Sequence, residues 1–358
     1  MPLPVILAWI GAGPSQASQV KALAQKLEIP LPVTEKTLRA ALRNPTNTPR
    51  TTTRLVDLEL KIIAKVGAKL PHKLVGKGLP FLWNWEQWSG LADHVDVNFE
   101  RTLFPKTRDH LRNLATQERD MVQKCLDLMP NPASAVEHLL TNPFSRLLCA
   151  KGEVPTDPLL TASKALRSGA DFKHFCTSPD FRLWHAHCVV SLLMSLLSSV
   201  DLEFSAAHEK LWPKPGTMPS VVEGILPITS EGKVRLPVKR LIERWRDILG
   251  SSLRKISVPD KAWLDPEMTR RKLESWVTDE HDPSIGSIQN LLKRLVPNEW
   301  ERNVAEAEFQ IALLLSNAYR ATENALPHTK IHERIRMFHT FHRHWRQQRS
   351  TRGKSPPP

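Results

Sequence analysis

The chain has 358 residues, 41% hydrophobic and 24% charged, which supplies a full core for one large domain or two to three ordinary ones and excludes wholesale disorder. Lys and Arg total 50 against 37 Asp and Glu, a formal net charge of +13, while four scattered cysteines exclude a disulfide-dense secreted scaffold and fit a reducing compartment. No unbroken apolar run reaches the length of a membrane span, and the longest, Cys188 to Val200, holds serines and stops at Asp201.

The first ten residues are apolar but lack the positive region that opens a secretory signal, so a packed N-terminal segment is expected. Gly11 and Gly13 lack the rest of any nucleotide fingerprint. Val20, Leu23 and Leu27 predict a helix over 16–27, and Leu38, Ala41 and Leu42 another after Thr34. Asn44 to Thr53 is a polar loop. Leu58, Ile62, Val66 and Leu70 then form one stripe of a helix that Pro71 stops, with acids near its start and lysines near its end as the helix dipole favours. A loop with Trp83, Trp85 and Trp88 follows.

Helices are expected over 106–128 and 134–148, parted by Pro130 and Pro132. A strong helix runs from Ser178 through Val200, with Phe181, Trp184, Cys188, Leu192, Leu193, Leu196 and Leu197 on its buried side. It is apolar around much of its circumference after His187, which predicts a central place in the core. Residues 209–236 are rich in Pro and Gly and read as a linker between helical domains 1–208 and 237–349, with a small hairpin around Ser230 to Gly232. Pro237 opens the next helix and Gly250 can cap it; Asp265-Pro266, Ser284 and Asn298 mark three further starts. The last helix follows Pro327 and carries Ile331, Ile335, Phe338, Phe341 and Trp345 as its packing face, before a disordered tail over 350–358. The expected fold is all-α, an irregular bundle of about ten to twelve helices.

The positive charge is concentrated. From Arg39 to Lys77 there are nine Lys/Arg and two acids, and from Thr329 to Pro358 eight and one, so these two segments account for essentially the whole surplus. Lys61, Lys65, Lys69, Lys73 and Lys77 recur every four residues, a spacing of roughly 6 Å on a helix that suits a phosphate backbone. Arg334, Arg336, Arg343, Arg346 and Arg349 of the last helix can grip phosphate through bidentate bonds. The alternatives are an ordinary solvated face or an acidic protein partner for the lysine row, and a membrane-surface helix for the last helix.

Chemistry is harder to place. His174, Cys176, His185, His187 and Cys188 offer zinc's ligand types but no paired-cysteine knuckle, and Cys188 falls on an apolar face. His328 and His332 lie one turn apart, yet Thr329 stands where a zinc protease places glutamate. Arg334 and His339, or Arg336 and His342, have a spacing that a metal-independent helical ribonuclease could use, with arginine stabilising phosphate charge and histidine moving a proton. No phosphate loop, nucleophile elbow or two-metal acid set is present in the sequence.

The sequence therefore predicts a non-catalytic, cytoplasmic component of a larger machine that replicates, moves or defends nucleic acid, binding DNA or RNA backbone and protein partners. No cofactor, metal or membrane contact is expected. A structural interaction subunit and a helical ribonuclease are the alternatives.

Overall fold

The computed structural model describes residues 20–21, 24–25, 28–34, 37–38, 53–55, 57–58, 61, 105–128, 130–149, 156–208, 220–248, 276, 283, 285–295 and 299–352. Helix accounts for 82% of them, beside one two-stranded hairpin, so the all-α expectation holds. Most of the described chain from Pro105 onward forms α1 (Pro105–Leu128), α2 (Pro132–Thr141), α3 (Pro143–Cys149), α4 (Thr156–Ser163), α5 (Gly169–Thr177) and α6 (Pro179–His208). Then come α7 (Val221–Ile225), β1 (Ile228–Ser230), β2 (Lys233–Arg235), α8 (Pro237–Ile248), α9 (Ile285–Leu295), α10 (Glu299–Ala325) and α11 (Ile331–Arg352).

Local rules explain the breaks. Pro at the first position opens α1, α2, α3, α6 and α8, where the missing N–H costs nothing. The helix expected over 134–148 is two helices. Asn142 ends α2, and its side chain accepts from the Phe144 amide at 2.9 Å to start α3. Ser168 and Asp171 cap α5 reciprocally, a serine and an acid three apart. The hairpin turns at Glu231 and Gly232, whose φ of 54° and 75° give the paired left-handed geometry of a two-residue turn. Val221 and Val222 open α7.

α6 is the axis. Every residue from Cys188 to Asp201 is buried, so this stretch of the helix has no solvent face. By length and composition Pro179–Glu203 could cross a membrane, but its apolar surface is mostly covered by other helices of the chain. Its most extensive partner is α11, and it also touches α1, α3 and α10. Trp184 is fully buried with Phe181 5.3 Å away, centroid to centroid. Truncating such a tryptophan to alanine costs about 3–5 kcal/mol.

Polar groups bind the helix ends together. Glu203 near the end of α6 accepts from the Lys106 and Thr107 amides at 2.8 and 2.9 Å, neutralising the start of α1. Ser316 of α10 accepts from the Val238 amide of α8 at 3.2 Å. Glu308 of α10 accepts from Arg244 and the Trp245 indole at 3.3 and 3.0 Å. A single hydrophobic cluster contains residues from α1 through α11, including Val222, Ile225 and Leu226. Within residues 209–236 the described part forms α7 and the hairpin, and α7 gives Val222 and Ile225 to this cluster.

One buried acid has a measurable consequence. Burial pushes the Glu118 carboxyl up from 4.5 to about 7. The folded chain then holds a proton that the unfolded chain has released, so this contribution is complete at low pH and fades as pH rises. Relative to Glu118→Gln, the native chain should lose up to about 3 kcal/mol of unfolding free energy between pH 4.5 and 7. Urea midpoints at successive pH values measure this, and parallel profiles for the two chains would contradict it.

Candidate nucleic-acid interface

α11 sorts its side chains into two faces. Arg334, Ile335, Phe338, Phe341, His342 and Trp345 are buried at three- and four-residue spacing. Trp345 donates to Ser191 Oγ of α6 at 3.0 Å, and His187 meets the Phe341 ring edge-on at 5.7 Å. Opposite lie His332, Arg336, Thr340, Arg343 and Gln347, all exposed. This outer stripe carries two arginines and no acid.

Between the faces a cavity of about 400 Å³ opens where α11 meets α6 and α7. His339, His342, Arg343, Arg346 and Gln347 line it from α11, and Glu223 from α7. Leu202 and Leu226 give it apolar walls.

Asp201 builds this corner. Its carboxylate accepts from Ser220 Oγ at 2.5 Å and from the Val221 and Val222 amides at 2.8 and 3.2 Å, capping α7 from α6. His342 Nε2 lies 3.7 Å and Arg346 Nε 3.6 Å from the same carboxylate. Burial works to raise the Asp201 pKa, but the His342 imidazole, the Ser220 hydroxyl and the Val222 amide outweigh it and hold the carboxyl below its ordinary range. Arg346 also reaches Glu223 at 3.4 Å, tying α7 to α11. His339 Nε2 lies 2.9 Å from the Pro227 carbonyl. A carbonyl only accepts, so that nitrogen carries the proton.

The basic residues expected from sequence have separate fates. Lys61 is exposed and paired with Asp57 at 2.8 Å across one turn. Lys65, Lys69, Lys73 and Lys77, with the three tryptophans after them, lie outside the described residues. Arg336 and Arg343 are on the outer stripe, and Arg343 has no hydrogen bond or ion pair among the described residues. Arg346 bridges two carboxylates, and Arg349 donates to Ser199 Oγ at 3.0 Å.

Arg334 departs from the expectation. It is 5% exposed, donates to Glu323 at 3.0 Å and to the Leu326 carbonyl at 3.3 Å, and closes the α10–α11 turn from inside. It therefore drops out of the phosphate-facing set and out of any pair with His339. His339, His342 and Asp201 are the site residues that charge counting passed over as binding groups. The signal available was an acid ending a long apolar run, which only a polar partner could make stable.

The histidine and cysteine clusters do not assemble. Among the described residues no group of three or more His, Cys, Asp or Glu could hold a metal ion. Cys149 and Cys188 instead lie with their sulfurs 3.2 Å apart, and burial raises the Cys188 thiol well above its usual value. Compared with known proteins, the chain matches no family model, no curated protein and no solved structure.

Asp201→Asn tests the corner. Removing the charge leaves Arg346 and the α7 amides poorly matched, and stability should fall by about 2–4 kcal/mol in denaturant titrations. Because the Asp201 pKa is depressed on folding, this stabilisation is present above 3.8 and is lost as pH falls below it. The variant should lose that acid sensitivity; unchanged stability and an unchanged acid limb would remove Asp201 from its structural role.

Proposed function

We propose that the protein is a non-catalytic component of a nucleic-acid-handling complex that binds the phosphate backbone through the outer face of α11. The observation that supports this reading most is Arg343, a solvent-exposed guanidinium without a partner among the described residues, on the same acid-free stripe as Arg336. An exposed guanidinium such as that of Arg343 gains from a polyanion laid along the helix. Arginine forks match phosphate oxygens, which carry no sequence information, so the contact proposed is with the backbone. The Lys61 to Lys77 row extends the proposal as a second contact. Only Lys61 of that row is described, and its pairing with Asp57 reduces what it can offer.

The helical-ribonuclease reading loses its first pair, since Arg334 is spent on Glu323 and backbone carbonyls. A purely structural subunit predicts no salt-dependent affinity for DNA or RNA.

Arg336→Gln with Arg343→Gln provides the test. Fluorescence anisotropy against short duplexes and single strands at several salt concentrations should show weaker binding. The slope of log K against log salt should flatten by roughly 0.7–0.9 per lost phosphate contact. Equal affinity and an equal slope in the double variant would overturn the proposed face.

A further inference from the structure

The four cysteines are all thiols, and the fold treats them unequally. Cys125 is buried in α1 and donates to the Ala135 carbonyl at 3.6 Å. Cys176 sits half-buried on α5. Cys149 and Cys188 instead meet sulfur to sulfur at 3.2 Å, although 39 positions separate them in the chain. Thiols are weak donors and weak acceptors, so this contact adds little to the packing of α3 on α6.

The pair joins a reachable sulfur to an unreachable one. Cys149 ends α3 and is half-buried. Cys188 is 1% exposed, in the stretch of α6 that has no solvent face. Burial first, then the neighbouring Cys149 and Glu118, keep the proton on the Cys188 sulfur. Cys188 is therefore shielded from a dissolved oxidant and left to react with the sulfur beside it. A disulfide holds its sulfurs at about 2.05 Å, so the gap to close is roughly 1.1 Å. Cys149 is the terminal residue of its helix, where the last turn can tilt without disturbing the packing of α6.

We propose that Cys149 and Cys188 are a redox-modification site that closes to an intramolecular disulfide when the protein meets a peroxide. The Cys149 sulfur attacks one peroxide oxygen and the O–O bond breaks. The oxygen retained makes a sulfenic acid, and the other leaves as water with the thiol proton. The Cys188 sulfur then displaces the sulfenic hydroxyl, which departs with the Cys188 proton as a second water. Two thiols lose two electrons in all, and one peroxide becomes two waters. The new bond staples the end of α3 to the central helix. A dithiol reverses it by exchange at Cys149, the sulfur open to solvent. Neither cysteine belongs to α11, so the site does not depend on the nucleic-acid reading.

Exposure of the full chain to hydrogen peroxide, alkylation of the remaining thiols in urea and non-reducing peptide mapping test this. The peptides holding Cys149 and Cys188 should appear joined, Cys125 and Cys176 should be alkylated, and dithiothreitol should release the joined pair. In Cys149→Ser, loss of the Cys188 thiol should slow by roughly tenfold or more, since the buried sulfur loses the partner that reaches the oxidant. Cys176→Ser should leave the joined pair unchanged. Mapping of the unaltered chain is decisive even if a variant fails to fold. Three results would each overturn the proposal: Cys149 driven to sulfinic acid while Cys188 stays alkylatable, Cys149 joined to Cys176 or to a second molecule, or all four thiols intact after the exposure. Undiminished loss of the Cys188 thiol in Cys149→Ser would overturn it equally.

Discussion

A carboxylate held away from water inside a helical body needs donors from several directions, and Asp201 obtains them from two segments. Ser220 and the first amides of α7 bond it directly, and α11 brings the Arg346 guanidinium and the His342 ring against it. The negative charge near the end of α6 thus fixes how a five-residue helix and a 22-residue helix meet it. A neutral residue there would leave the α7 amides and two basic groups without an acceptor. The architecture and the candidate binding surface share this one ion.

The consequence for α11 is directional. Its inner face is set by Phe338, Phe341 and Trp345 against α6, and by Arg334 closing the turn from α10. Once those are seated, Arg336 and Arg343 fall on the exposed side of the helix. Arg346 falls between, half-buried, and is used to hold Asp201 and Glu223. The arginines of one helix therefore do different things, according to their angle around its axis.

The sequence revealed the large helices well. The axial role of α6 was legible because apolar residues after His187 surround the helix instead of forming one stripe. α1, α8, α10 and α11 were legible from proline starts and periodic apolar positions. α7 was hidden in a Pro/Gly-rich stretch, since five residues are too few for a periodic signal and their stability comes from the distant Asp201. The Asn142-Pro143 break was visible as residues but read through, because the apolar spacing continues on both sides. Ile331, expected on the packing face, is 39% exposed, while Arg334 three residues later is buried. Charge alone placed Arg334 outside. Its burial depends on Glu323 and the carbonyls at the end of α10, partners that no spacing rule brings together. The cavity was illegible for the same reason, being made where α6, α7 and α11 converge.

The central claim is that an anionic nucleic-acid ligand contacts the outer side of α11. Photocross-linking with a 4-thiothymidine-bearing, phosphorylated oligonucleotide, followed by peptide mapping, tests it most directly. Adducts on the peptide holding residues 339–347 are predicted. Adducts confined to α2 through α5, or none at all under conditions where the oligonucleotide binds, would contradict it.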